Sequence, residues 1–161
     1  MSRLIAIDPG VKMCGFAKFI GGRLVDAGVL RATKTKELND KAQYMAYLIT
    51  QYMSIIGGYT LAIERMRVYN KLQQKGDPND LLDVAYVSGV IAGRVARYTH
   101  KILTPTAREW KGTIEKPIHH ERIKRDCPQA EPLAQKTAKT YRHNVYDAIG
   151  LGLWAIERIG R

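Results

Sequence analysis

Cysteine is scarce in this chain: Cys14 and Cys127 are the two among 161 residues, far apart and outside any Cys-x-x-Cys pattern. That excludes a disulfide framework and a thiolate zinc site, and it makes a reducing compartment, the cytoplasm, the expected location. Long hydrophobic runs are missing too. No apolar stretch approaches the about 20 residues that span a bilayer. No basic amphipathic helix offers a bulky apolar face to a membrane surface, and residues 1–8 enter an apolar strand without a signal-peptide pattern. No membrane role is expected. Acidic residues are few, 15 against 26 Lys plus Arg, which leaves a formal net charge of +11. An excess that large on a small protein points to a polyanionic partner, nucleic acid first. Repeats, low-complexity segments and linkers are absent. With 45% hydrophobic residues, 1–161 reads as a single domain with a sizeable core.

What is present begins with strands. Leu4–Asp8, Gly15–Ile20 and Leu24–Ala32 are apolar or alternating runs, separated by the Asp8-Pro9-Gly10 turn and by Gly21-Gly22. Three antiparallel strands are expected. Helical spacing follows over Glu37–Ile56 and stops at Gly57-Gly58. Tyr59–Glu64 reads as a strand and Arg65–Lys75 as a basic loop. A helix from Asp77 to Tyr98 has Asp77 at its N-cap and Pro78 in its first turn. Lys101–Thr104 is a short strand, Thr106–Lys111 and His119–Asp126 are short helices, and Arg142–Ile159 is the last helix. The order βββ-α-β-α-β-α predicts an α/β fold with a five-stranded mixed sheet flanked by helices.

Three acids stand at apolar places. Asp8 ends the first strand and Glu64 ends the fourth. Each has a bland reading, Asp8 as a turn former before Pro-Gly and Glu64 as a solvated strand end. Asp147 is harder to dismiss. It lies among Val145, Ala148, Ile149 and Leu151, with no Lys or Arg three or four residues away, so something positive must meet it. Neighbouring strands can set Asp8 and Glu64 side by side, and a helix crossing the sheet can add Asp147. Such a cluster needs a cation, and hard oxygen ligands favour Mg²⁺, with Mn²⁺ as the second choice. Two such ions about 3.5–4 Å apart activate water and steady the leaving oxygen in phosphodiester hydrolysis.

Arg65, Arg67, Lys71 and Lys75 form a basic loop directly after Glu64, and Tyr69 within it suits stacking on an unpaired base. Lys101, Arg108, Lys111, Lys116, Arg122, Lys124 and Arg125 make a second basic region. His119 and His120 are adjacent, about 100° apart on a helix, and read as surface residues. Cys14, Trp110 and Trp154 read as packing groups.

The stretches "IAIDPGVKMCGFA", "LAIERMRVYN", "KGDPNDLLDVAYVSGVIAG", "TPTAREWKG" and "HNVYDAIGLGLWA" together resemble the RuvC-like Holliday junction resolvases of the ribonuclease H-like superfamily, the short phage-encoded branch in particular. The resemblance runs in order over nearly the whole chain. It implies a ribonuclease H-like fold and a homodimer that cuts paired strands of branched DNA, the Holliday junction, in the cytoplasm of a host cell if phage-encoded. It makes Asp8, Glu64 and Asp147 the catalytic metal ligands, gives Tyr69 the place of a loop aromatic and Lys111 that of a basic phosphate contact. Family members carry a further Asp or His three residues before the helix acid. Here that place holds Asn144, and His143 lies four before. His143 is the expected fourth ligand and proton carrier, with Asn144 the alternative, since an imidazole has a use in hydrolysis that a carboxamide lacks.

Other functions fit less of the sequence. A nuclease of the same fold acting on RNA or an RNA–DNA hybrid shares every feature named so far. Actin-like sugar kinases also begin on an acid-bearing strand but need two such lobes around ATP. A non-catalytic nucleic-acid-binding module has no use for three acids that repel phosphate.

Overall fold

The computed structural model describes residues 1–53, 58–68 and 77–159. Its five strands are β1 (Arg3–Asp8), β2 (Met13–Ile20), β3 (Arg23–Arg31), β4 (Tyr59–Ile63) and β5 (Thr99–Leu103). They form one sheet in the order β3-β2-β1-β4-β5. The β1–β2 and β2–β3 pairs are antiparallel, whereas β1–β4 and β4–β5 are parallel. The helices are α1 (Leu38–Gln51), α2 (Pro78–Val95), α3 (Ala107–Trp110), α4 (Lys116–Asp126), α5 (Ala130–Gln135) and α6 (Arg142–Ile159). The α/β architecture expected from the sequence is the one observed. No described helix is long and apolar enough to cross a membrane.

Strand alternation divides the core in two. Ile5, Ile7, Cys14, Phe16, Leu61 and Ile63 pack beneath α1 and α2. Leu4, Ala6, Ala17, Phe19 and Ala62 pack beneath α6, with help from α4 and α5. The second face is rich in alanine, so α6 lies close to the sheet. It is closest at Gly15, where an added Cβ would stand 2.0 Å from the Asn144 carbonyl oxygen. Buried Cys14 fills core space as expected.

Several elements depart from the sequence reading: β2 begins at Met13 rather than Gly15, and α2 ends at Val95 rather than Tyr98. β5 begins at Thr99 rather than Lys101. α5 was not anticipated: six residues with Pro132 inside and no side-chain cap give little periodic signal. α4 starts at Lys116 rather than His119, with Pro117 in its first turn, where a missing N–H costs nothing. Asp77 does cap α2, its side chain accepting from the Asn79 amide at 2.9 Å.

Candidate active site

Asp8 continues the face that carries Leu4 and Ala6, and Glu64 continues the face that carries Thr60 and Ala62. Both therefore lie on the α6 side of the sheet. The parallel register aligns Ile7 with Ile63, and the Glu64 amide donates to the Ile7 carbonyl at 3.4 Å. Two acids thus stand at the carboxyl ends of adjacent parallel strands, where open α/β sheets hold their ligands. Asp147 comes down from the second turn of α6 and is only 3% exposed.

Each carboxylate responds to this crowding. Burial, then the charges of Asp147 and Glu64, push the Asp8 carboxyl well above its usual range. Burial also raises Glu64, against the hydrogen bond it accepts from Trp110. Burial alone would raise Asp147, but hydrogen bonds from His120 and Lys116 outweigh it and hold that carboxyl at about 2.

The partners come from the segment between β5 and α6. Thr106 and Glu109 form a capping box at the start of α3, the Glu109 carboxylate accepting from the Thr106 amide at 2.6 Å. That short helix presents Trp110, whose Nε1–H donates to Glu64 Oε2 at 2.8 Å. On α4, Lys116 Nζ lies 2.7 Å from Asp147 Oδ2 and His120 Nε2 lies 3.0 Å from Oδ1. A carboxylate only accepts, so His120 Nε2 carries the proton. His119 packs edge-on to Trp110, ring centroids 5.2 Å apart, and burial lowers its pKa.

His120, expected at the surface, is half-buried against the helix acid, and Lys116, expected as a DNA contact, also touches that acid. Once α4 begins at Lys116 these two are four residues apart on one face, a signal hidden by the later expected start. Trp110 packs, as expected, but also orients an acid. Lys111 lies beside the acids, its ammonium 5.3 Å from the Trp110 ring centroid. Arg65 and Arg67 are exposed beyond Glu64, with Arg65 3.8 Å from Glu109. Tyr69, Lys71 and Lys75 lie outside the described residues. His143 is exposed on the first turn of α6, and its side chain has no hydrogen bond or ion pair among the described residues. It lines a cleft of about 510 Å³ together with Lys116, His120, Lys124 and Tyr146. The Asn144 backbone faces Gly15.

Neither a protein-family model nor a curated protein sequence matches the chain. Solved structures do. Thermus thermophilus RuvC in complex with Holliday junction substrate superposes with a TM-score of 0.71 at 13% identity, covering 99% of this chain and 97% of that one. A second structure of the same RuvC gives 0.62 at 16% identity, with 98% and 96% coverage. The yeast mitochondrial Holliday junction resolvase Ydc2 gives 0.52 at 9% identity, with 99% and 82% coverage. The sheet order, the helix across its alanine-rich face and these superpositions agree: this chain has the ribonuclease H-like fold of the RuvC and Ydc2 resolvases.

Proposed function

We propose that the protein is a metal-dependent, structure-selective endodeoxyribonuclease that cuts Holliday junctions or other branched DNA as a homodimer. The observation that carries this reading is the placement of Asp8 and Glu64 at the ends of adjacent strands with Asp147 on the helix over them, near enough for Asp147 and Glu64 to raise the Asp8 carboxyl, beside Lys111 and Lys116 in a chain of net charge +11. The donor set suits a hard divalent cation: three carboxylates whose mutual repulsion a cation relieves, and which already draw in an ammonium. Asp8, Glu64 and Asp147 would hold Mg²⁺ or Mn²⁺, two ions per site. When bound, such ions supply the Lewis acidity that activates water and steadies a leaving oxygen.

The chain's own groups divide the remaining work. Trp110 orients Glu64, and His120 orients Asp147. Lys111 and Lys116 offer positive charge to a phosphate at the edge of the acids. Arg65, Arg67, Tyr69, Lys71 and Lys75 would bind the junction arms, Tyr69 by stacking at the branch point. His143 would serve as fourth ligand and proton carrier from the rim of its cleft. An unchanged Mn²⁺ titration in His143→Ala would remove it from the ligand set. The main test offers four-way junction, flap, duplex and RNA–DNA hybrid with Mg²⁺. Paired cuts near the junction centre are expected, and preferential cutting of the hybrid would move the substrate class to RNA.

Trp110→Phe should keep the ring packing and lose the N–H. A hydrogen bond to a charged group is worth about 1.5–3 kcal/mol, so unfolding free energy should fall by an amount of that order. Junction cleavage should fall about 10–100-fold, as expected when a ligating carboxylate loses its orienting partner. Denaturant unfolding and single-turnover cleavage measure the two effects, and wild-type values in both would remove the role given to this contact.

The homodimer rests on α2. Leu82 is 61% exposed and Tyr86 45%, and both lie on one outward face with Ala85, Gly89 and Gly93. An added Cβ at Gly89 or Gly93 meets no atom within 4 Å, so the face leaves room for close approach of a partner helix. Two active sites related by a two-fold axis suit the near two-fold symmetry of a junction. Leu82→Glu should weaken dimerisation by about 2 kcal/mol or more, roughly 30-fold in Kd. Sedimentation reads this directly, and a wild-type protein that stays monomeric at micromolar concentration with and without DNA would refute the dimer.

A further inference from the structure

Asp147 has both carboxylate oxygens occupied by the chain itself, and the two partners differ in kind. His120, on Oδ1, has a side chain 15% exposed, with its ring packed 5.1 Å from Tyr146 and 6.4 Å from His119 between centroids. Withdrawing it would mean repacking α4 against α6. Lys116, on Oδ2, is the first residue of α4, and its side chain is 52% exposed. Its four-carbon stem reaches in from solvent, and among the described residues its ammonium has no other hydrogen bond or ion pair. Rotation about its own side-chain bonds is enough to release it, with no backbone movement.

The ammonium sits in the field of the whole cluster. Its Nζ lies 2.7 Å from Asp147 Oδ2, and Asp8 and Glu64 act on it as well. A divalent cation is drawn to the same field. It competes with the ammonium for Asp147 Oδ2, because two like charges drawn to one carboxylate oxygen repel in a half-buried site. As the side chains stand, no three His, Cys, Asp or Glu groups among the described residues converge to hold an ion. Removal of the half-exposed Lys116 ammonium frees the Asp147 oxygen that faces it.

We propose, resting on the metal-dependent reading above, that Lys116 is a built-in counter-ion of the three-acid centre, and that a divalent cation binds by displacing its ammonium from Asp147 Oδ2. Ion affinity is then lowered by the fraction of molecules in which Lys116 is seated, and freeing the seat raises it. Lys116 is also the group with which the site holds its acids together when divalent ions are scarce.

The test is calorimetric titration of Mg²⁺ and Mn²⁺ into wild type, Lys116→Met and Lys124→Met, with no DNA present. Lys124→Met removes the same unit of charge from the same helix, but Lys124 pairs with Glu121 and Glu131 instead. Lys116→Met should bind both ions about tenfold more tightly than wild type, the effect of a seat filled about nine-tenths of the time. Lys124→Met should stay within about two- to threefold, the reach of a screened surface charge. Thermal melts give a second readout: in EDTA Lys116→Met should melt below wild type, and saturating Mg²⁺ should close the gap. If wild type binds the ions and Lys116→Met binds them equally or more weakly, the displacement is overturned while the metal-dependent reading stands. If neither protein binds either ion, the metal-dependent reading falls and the displacement with it.

Discussion

Asp8→Asn should abolish junction cleavage and, in EDTA, yield a more stable protein than wild type. Both effects come from the same crowding. Asp8 is half-buried beside Asp147 and Glu64, and its carboxyl is raised well above the ordinary value of 3.8. A folded-state value above the unfolded one means that the folded chain holds the proton more tightly. The penalty is therefore absent below the ordinary value, grows as pH rises toward the folded value, and is complete above it. At neutral pH without divalent ions, wild type bears this penalty and the neutral amide bears none. The gain should be about 0.5–2 kcal/mol, the usual size when a strained functional group is replaced. That corresponds to about 2–4 °C in melting temperature per kcal/mol for a chain of this size. Loss of a metal-holding carboxylate removes several kcal/mol of transition-state stabilisation, so cleavage should fall on the order of 10³-fold.

The pH dependence isolates Asp8 when it is read as the difference between the two proteins. Asp147, held at about 2, contributes stability that is lost only as pH falls toward that value. His119, lowered by burial, withdraws stability as pH falls below its ordinary 6.5. The His119 contribution is common to wild type and variant and cancels, and that of Asp147 changes only at pH values near its own low one. The remaining difference should shrink as pH is lowered toward the ordinary carboxylate value and vanish there. Asp8→Asn that cleaves junctions at the wild-type rate would remove Asp8 from the catalytic set. A melting-temperature difference independent of pH would remove the electrostatic explanation of its stability.

Gly15→Ala should damage activity more than stability, although it changes no charged or polar group. Gly15 pairs with Asp8 across the β1–β2 ladder, on the face that α6 covers. An added Cβ would lie 2.0 Å from the Asn144 carbonyl oxygen and 2.6 Å from its carbon. Both are backbone atoms, so no rotamer change gives relief and the first turn of α6 must withdraw. Overpacking of this kind costs about 1–3 kcal/mol. Asp147 follows Asn144 by three residues on the same helix and moves with it. A misplacement of about 1 Å in a catalytic group costs about 10²-fold in rate. The check is a cleavage assay well below the melting temperature, with circular dichroism to establish that the fold is intact. Wild-type cleavage by a folded Gly15→Ala would show that the approach of α6 does not set the geometry of the acids.

The legible part of the site lies in its strands. Alternation along Leu4–Asp8 and Thr60–Glu64 already puts Asp8 with Ala6 and Glu64 with Ala62, and the apolar surroundings of Asp147 demand a positive partner from elsewhere. The identity of that partner was not legible. The search for a fourth group ran along α6, toward His143 and Asn144, because spacing on one helix is the only proximity a sequence displays. The groups that reach Asp147 come from α4, and Lys116 was read as a surface cation facing DNA.

The sequence by itself determined the five strands and the long helices, the α/β class, the basic character and the three acids. Each of these rests on composition or on a local period, two for strands and 3.6 for helices, that the chain carries residue by residue. Only the tertiary structure decided that Lys116 and His120 hold the two oxygens of Asp147, that Trp110 steers Glu64, and that a missing side chain at Gly15 lets α6 reach the sheet. Those contacts join residues 27 and 46 apart in the chain for His120–Asp147 and Trp110–Glu64. They depend on where α4 begins and on how closely α6 approaches, which is settled by packing across the whole core and by no local pattern.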